Sequence, residues 1–124
     1  MKRLIVILAV LSVLGVAPLF SQNVIDLTEA SSSLKEINVT NQGLTFVPAE
    51  IRVRRGDTLR LTFEVRAGFH DWKLDAFSAS TRQLSRGQKD TVEFVVDRAG
   101  TFEYYCSVGN HRAQGMVGRL IVIE

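Results

Sequence analysis

Cysteine is nearly absent from this 124-residue chain, where Cys106 stands alone. A single thiol cannot form a disulfide within the chain. In an oxidising compartment an odd thiol must be paired between chains, reactive, or occupied. Histidine is scarce too, with His70 and His111 the only two, and Met116 is the only methionine besides the initiator. An excess of one charge is also missing. The net charge of +2 disappears if Lys2 and Arg3 are removed with the N-terminal segment, so nothing in the charge balance points to nucleic acid. Beyond that segment there is no helical period, no internal repeat and no low-complexity tract.

Residues 1–21 read as a secretory signal. Met1-Lys2-Arg3 is a short basic head, Leu4 to Phe20 runs without a charge, and the small Ser21 follows. Cleavage after Ser21 leaves Gln22 first. The alternative is an uncleaved membrane anchor, at the lower limit of the roughly 17–25 apolar residues a bilayer crossing needs and weakened by Pro18. No cysteine lies near the cut, so this is not a lipoprotein signal. Residues 22–34, with Asn23 and Ser31-Ser32-Ser33, read as a linker or a loosely packed N-terminal extension. The remaining segment, residues 35–124, suits one small domain with a single core.

From Lys35 onward the hydrophobic period is two. Ile37 and Val39 alternate with polar partners, as do Ile51 and Val53. In Thr58–Arg66, Leu59, Leu61, Phe63 and Val65 face one way while Arg60, Thr62, Glu64 and Arg66 face the other. Val92-Phe94-Val96, Phe102-Tyr104-Cys106 and Leu120-Val122 repeat the pattern. This predicts half-buried antiparallel strands separated by turns at Arg55-Gly56-Asp57, Arg86-Gly87-Gln88 and Arg98-Ala99-Gly100. The fold class is all-β: a Greek-key β-sandwich of about seven or eight strands. Pro48 should mark a bulge or a crossing between sheets. Arg52, Arg54, Arg60 and Arg66 read as a solvated outer face.

The scarce residues are not scattered. Cys106, His111 and Met116 are spaced C-x4-H-x4-M, and His70 lies upstream in Gly68-Phe69-His70-Asp71-Trp72. Thiolate, two imidazoles and a thioether form the set that favours copper in an electron-transfer site, with the Met as a long axial contact. Met is a poor fourth ligand for zinc. Phe102 and Tyr104 share phase with Cys106, so the sulfur should point into the sandwich end. The Ser107–Asn110 loop, with Gly109 able to take positive φ, then turns His111 back, and Arg112–Gly115 bring Met116 beneath the same point.

On these residues the chain resembles the cupredoxins, the small blue (type 1) copper proteins of the plastocyanin and azurin superfamily, over roughly Lys35 to Glu124. The matching pieces are Phe46-Val47-Pro48-Ala49-Glu50-Ile51, Gly68-Phe69-His70-Asp71, Gly100 to Cys106, and Gly109-Asn110-His111 through Gly115-Met116. The ligand-loop spacing resembles auracyanin and rusticyanin. Plastocyanin has a closer Cys and His, and azurin a closer His and Met. The resemblance implies one mononuclear copper on His70, Cys106, His111 and Met116, and a role for Asp71 in tying the two ligand loops together.

The function expected is exported single-electron transfer by a monomer in the periplasm or extracellular space. Its partners would be transient redox proteins such as a c-type cytochrome or a membrane oxidoreductase, met at an apolar patch of Val108, Ala113 and Val117 around His111. His70 should be shielded by Phe69 and Trp72. The alternative is a cell-envelope copper carrier or storage protein, since soft ligands also suit Cu(I). Catalysis is not expected. Multicopper oxidases and copper nitrite reductases need more histidines, and the binuclear copper site of terminal oxidases needs two cysteines. A Cys106–His111 nucleophile would leave His70 and Met116 without a role.

Overall fold

In the computed structural model, which describes residues 23–124, the alternation becomes burial. Leu59, Leu61, Phe63 and Val65 are wholly buried while Arg60 and Glu64 face solvent. Each such Leu or Phe contributes about 1.5–3 kcal/mol by leaving water. The expected signal lies outside the described residues.

The strands are β1 (Val24–Asp26), β2 (Leu34–Gln42), β3 (Thr45–Val47), β4 (Glu50–Arg54), β5 (Thr58–Glu64), β6 (Phe69–His70), β7 (Lys73–Leu74), β8 (Ala79–Ser80), β9 (Leu84–Ser85), β10 (Lys89–Val95), β11 (Gly100–Tyr105) and β12 (Val117–Ile123), with a 3-10 turn at Asp75–Phe77. A six-stranded sheet runs β1-β4-β12-β11-β7-β8, a four-stranded sheet β10-β5-β2-β3, and β6 pairs with β9. One core fills the space between the two larger sheets. Ile37, Val39, Leu59, Leu61 and Phe63 come from one, and Ile51, Val53, Tyr104, Leu120 and Val122 from the other. The all-β sandwich is therefore present, cut into more pieces than expected. The extra strands are two or three residues long, too short to carry a readable period.

Not every neighbour is antiparallel. β4 runs parallel to both β1 and β12, and β2 runs parallel to β5. Alternation reports which face is wet, not which way the neighbour runs. When the chain crosses between sheets, strands from distant segments become neighbours. Pro48 marks such a crossing, between β3 in one sheet and β4 in the other, and the Val47–Pro48 bond is cis. Three of the four arginines are divided accordingly: Arg52 and Arg54 lie on the six-stranded sheet and Arg60 on the other, each with an acidic partner, while Arg66 follows the end of β5.

Part of the segment read as a linker or loose extension is a strand. β1 lies at the edge of its sheet, and the Asn23 carbonyl accepts hydrogen bonds from the Ala49 and Glu50 N–H groups, both at 2.9 Å. Three residues with no buried side chain leave no hydrophobic signature. Backbone pairing alone places them.

The core face of β2 reads Lys35, Ile37, Val39, Asn41, polar at both ends and apolar between. Lys35 makes a buried ion pair with Asp57 at 3.1 Å. Asn41 sits at the end of the sandwich that carries His70. Tyr104 closes the middle. Its hydroxyl donates to the Pro48 carbonyl at 2.9 Å, and its ring packs edge-on against Phe46. Opposite it on β12 is Gly118, where a Cβ would come within 2.1 Å of the Tyr104 ring. Gly118 therefore makes room for that ring.

Candidate metal centre

Strand β11 ends at Tyr105, and Cys106 follows with no exposed surface. Its sulfur points into the sandwich end as the phase of Phe102 and Tyr104 requires. The chain then makes a series of tight turns. His111 N–H donates to Val108 O at 3.1 Å, Gly115 N–H to Arg112 O at 3.0 Å, and Met116 N–H to His111 O at 3.0 Å. Gly109 and Gly115 take φ of 50° and 100°, the left-handed region that favours glycine. Cys106 N–H closes the loop on Met116 O at 3.1 Å, which lays the fully buried Met116 beside the strand carrying the sulfur.

His70 arrives from β6, held by pairing with Leu84 on β9, and is 4% exposed. Its Nδ1 lies 3.2 Å from Nδ1 of His111 and 3.9 Å from Cys106 Sγ, which is 3.6 Å from Nδ1 of His111. A point equidistant from these three atoms is about 2.1 Å from each, which falls within ordinary metal–nitrogen and metal–sulfur bond lengths of about 2.0–2.3 Å. The three donors form a nearly trigonal frame sized for one first-row metal ion.

The electrostatics agree. Burial, and then the neighbouring Asp71 charge, push the Cys106 thiol above its ordinary 9.0. Burial, followed by the adjacent His111, holds His70 below 6.5. Without a cation the site favours a neutral thiol and a neutral imidazole. A bound metal deprotonates a coordinating thiol outright, so the donor set is complete only with a metal.

Asp71 joins the two halves. Its carboxylate accepts the Ser107 N–H at 2.6 Å and the Ser107 hydroxyl, and its own N–H points at Cys106 Sγ, 3.5 Å away. The loop-tying role implied by the resemblance is visible in these contacts.

Around His111 the surface differs from the expected patch. An open hollow of about 450 Å³ is lined by Leu44, Ala67, Phe69, Val108 and the two histidines. Phe69 is 44% exposed at its rim, while Trp72, the other expected shield, is buried and packs against Tyr104 and Phe94. Val117 lines a separate hollow beside Asn23 and Val24, because the first residue of β12 points out of the sheet. Leu44 comes from the β2–β3 turn, which nothing in the sequence places at this end. Sequence reasoning also passed over Asn41, whose side chain bonds the turn before His70. Its signal was available: a polar residue in phase with Ile37 and Val39 on the buried face.

Residues 34–123 match the family model of copper binding proteins of the plastocyanin/azurin family. The chain belongs to that family. Over 98 residues it is 31% identical to plastocyanin of Vicia faba, covering 69% of this chain and 95% of that protein. It is 30% identical to chloroplastic plastocyanin of Pisum sativum, of which it spans only 56%. Among solved structures, dithionite-reduced auracyanin from the photosynthetic bacterium Roseiflexus castenholzii shares the fold, with a TM-score of 0.64 at 22% identity over 72% of this chain and 97% of that one. Family and donor set together establish one type 1 copper as the cofactor of this cupredoxin.

Proposed function

We propose that this cupredoxin is an exported blue copper protein that carries single electrons between redox partners. The observation that carries the reading is the triangle of two imidazole nitrogens and one sulfur, with sides of 3.2, 3.6 and 3.9 Å, backed by the buried Met116. Copper supplies the one-electron Cu(II)/Cu(I) couple. His70, Cys106 and His111 would hold it, with Met116 as a weaker fourth donor.

The chain's own contribution is a rigid, dry frame. Cys106 and Met116 have no exposed surface, and Asp71 locks the two ligand segments together. A frame held this firmly changes little between oxidation states, so little reorganisation opposes electron transfer. His111 is the half-exposed member, and its ring edge borders the apolar hollow. That suits a brief, weakly bound encounter at the small end of interface sizes with a c-type cytochrome or a membrane oxidoreductase. Export rests on residues 1–21, read as a signal.

Enclosure also separates this reading from its rivals. A copper carrier has to release its ion, and a cysteine nucleophile has to be reached by substrate. Neither suits a sulfur with no exposed surface. Adding Cu(II) to the apo-protein should give an intense visible thiolate-to-copper band and a narrow-hyperfine EPR signal. Repeated reduction and reoxidation should then retain the metal. A colourless complex, or loss of copper on each reduction, would refute the electron-carrier reading.

A further inference from the structure

Asn41 lies 2% exposed on the core face of β2, where a polar side chain has to be fully partnered. Its amide donates to the Gly43 carbonyl at 2.9 Å and the Ala67 carbonyl at 3.0 Å, and its Oδ1 accepts the Arg66 N–H at 2.9 Å. Both donors of the amide are used, and two of the three partners belong to the turn that delivers His70.

The Ala67 backbone also lies close enough to the His70 ring to favour its protonated form. Nδ1 of that ring faces Cys106 and His111. Nε2 lies over Gly68, where a Cβ would come within 2.6 Å of it. The Ala67 carbonyl is therefore positioned to accept Nε2–H while it accepts the Asn41 amide. A hydrogen-bond acceptor on the remote N–H of a ligating histidine fixes its tautomer and ring orientation and raises its basicity as a ligand.

We propose that Asn41 is a positioning residue for His70: by holding the Ala67 carbonyl over Nε2–H it sets the orientation and donor strength of this copper ligand. The proposal rests on the copper reading above. Among the described residues Asn41 makes no hydrogen bond to the copper donors or the ligand loop, and its link to His70 runs through the Ala67 carbonyl. Gly68 completes the cradle, since the missing Cβ gives the ring room on that side.

The test starts with the wild-type Cu(I) protein, which is diamagnetic. In its NMR spectrum the His70 Nε2–H should exchange slowly and show a scalar coupling across the hydrogen bond to the Ala67 carbonyl carbon. In Asn41→Ala, or Asn41→Ser should the alanine variant fold poorly, one copper should still bind. The Nε2–H should then exchange at least about tenfold faster, and the nitrogen hyperfine coupling of one imidazole in the Cu(II) form should shift while the other stays. Gly68→Ala should shift the same imidazole's coupling from the opposite side. A blue wild-type protein with an unprotected Nε2–H overturns the proposal and leaves the copper reading intact. So do Asn41 variants that melt earlier but keep wild-type exchange and both wild-type couplings. A wild-type protein without the blue band overturns the copper reading, and this proposal with it.

Discussion

The 106–116 loop supplies three of the four candidate ligands and holds its shape through its own backbone, from His111 N–H on Val108 to Cys106 N–H on Met116. The 69–71 segment supplies one, His70, and is held mainly from outside: by β9, by Ser107 through Asp71, and by the preceding Ala67 turn, which distant Asn41 anchors. Local closure allows the loop to lie on the surface, with Gly109, Asn110 and Arg112 to Gly115 all exposed. A segment held mainly from outside has to be buried to be held at all, and His70 and Asp71 are 4% and 1% exposed. The loop should therefore decide whether copper binds, and the buried segment should decide how well the geometry is kept.

The largest test of that division is Cys106→Ala. The thiolate is the most covalent donor, so the visible band and tight copper binding should both disappear while the sandwich remains folded. Copper titration followed by absorbance checks this, and an unchanged band would remove Cys106 from the centre.

The next test compares the two histidines directly. In His111→Gly the vacated position borders the open hollow, so added imidazole should enter and restore the blue spectrum. In His70→Gly the vacated position borders the same hollow but is more deeply buried, since His70 is 4% exposed where His111 is half-exposed. Restoration there should need at least roughly tenfold more imidazole, the equivalent of about 1.4 kcal/mol. Equal rescue of the two variants would show that burial does not distinguish them.

Asp71→Ala cuts the tie between the segments. The Ser107 N–H and hydroxyl lose their acceptor, at a cost of about 1–3 kcal/mol, and a domain of this size melts roughly 4–8 °C earlier per kcal/mol. The blue band should survive but broaden, because the two halves no longer share a fixed spacing. Asp71→Asn, which keeps an acceptor, should recover part of the loss. Met116→Leu is milder still. The two side chains are close in volume, so stability should fall by less than about 1.5 kcal/mol. Copper should remain and its reduction potential should rise, since the thioether's donation to Cu(II) is gone. Potentiometry checks the direction.

The same contrast explains what could be read before the structure was known. The loop was legible because its chemistry and its geometry are both local: Cys106, His111 and Met116 fall within one short stretch, and the phase of Phe102 and Tyr104 aims the sulfur. The core strands were legible from Leu59, Leu61 and Phe63, where alternation and burial coincide. The partners of His70 were not. Leu44 and Asn41 reach it through strand pairing and a turn, which leave no motif at fixed spacing. β1 was missed for a related reason, since pairing through the Asn23 carbonyl makes no demand on side chains. A sequence displays what a segment does with its own neighbours in the chain, and is nearly silent on which distant carbonyl it will meet.

The smallest effect also separates the two segments, through the pH dependence of the metal-free protein. Burial holds His70 below its ordinary 6.5. Between its folded value and 6.5 the unfolded chain binds the proton more tightly, so folding stability is full above 6.5 and declines as pH falls below it. Burial raises the Cys106 thiol above 9.0. There the unfolded chain releases its proton first, so stability is full below 9.0 and declines as pH rises. Each limb has a slope of at most about 1.4 kcal/mol per pH unit, the value for one proton. The apo-protein should therefore melt highest on a plateau between the two, with an acid limb belonging to the 69–71 segment and an alkaline limb belonging to the loop. Calorimetry across this range, on wild type, His70→Asn and Cys106→Ala, can assign them. The acid limb should flatten only in the first variant and the alkaline limb only in the second. If both limbs persist in both variants, the pH dependence arises elsewhere in the sandwich, and the two halves of the centre are not independently buried.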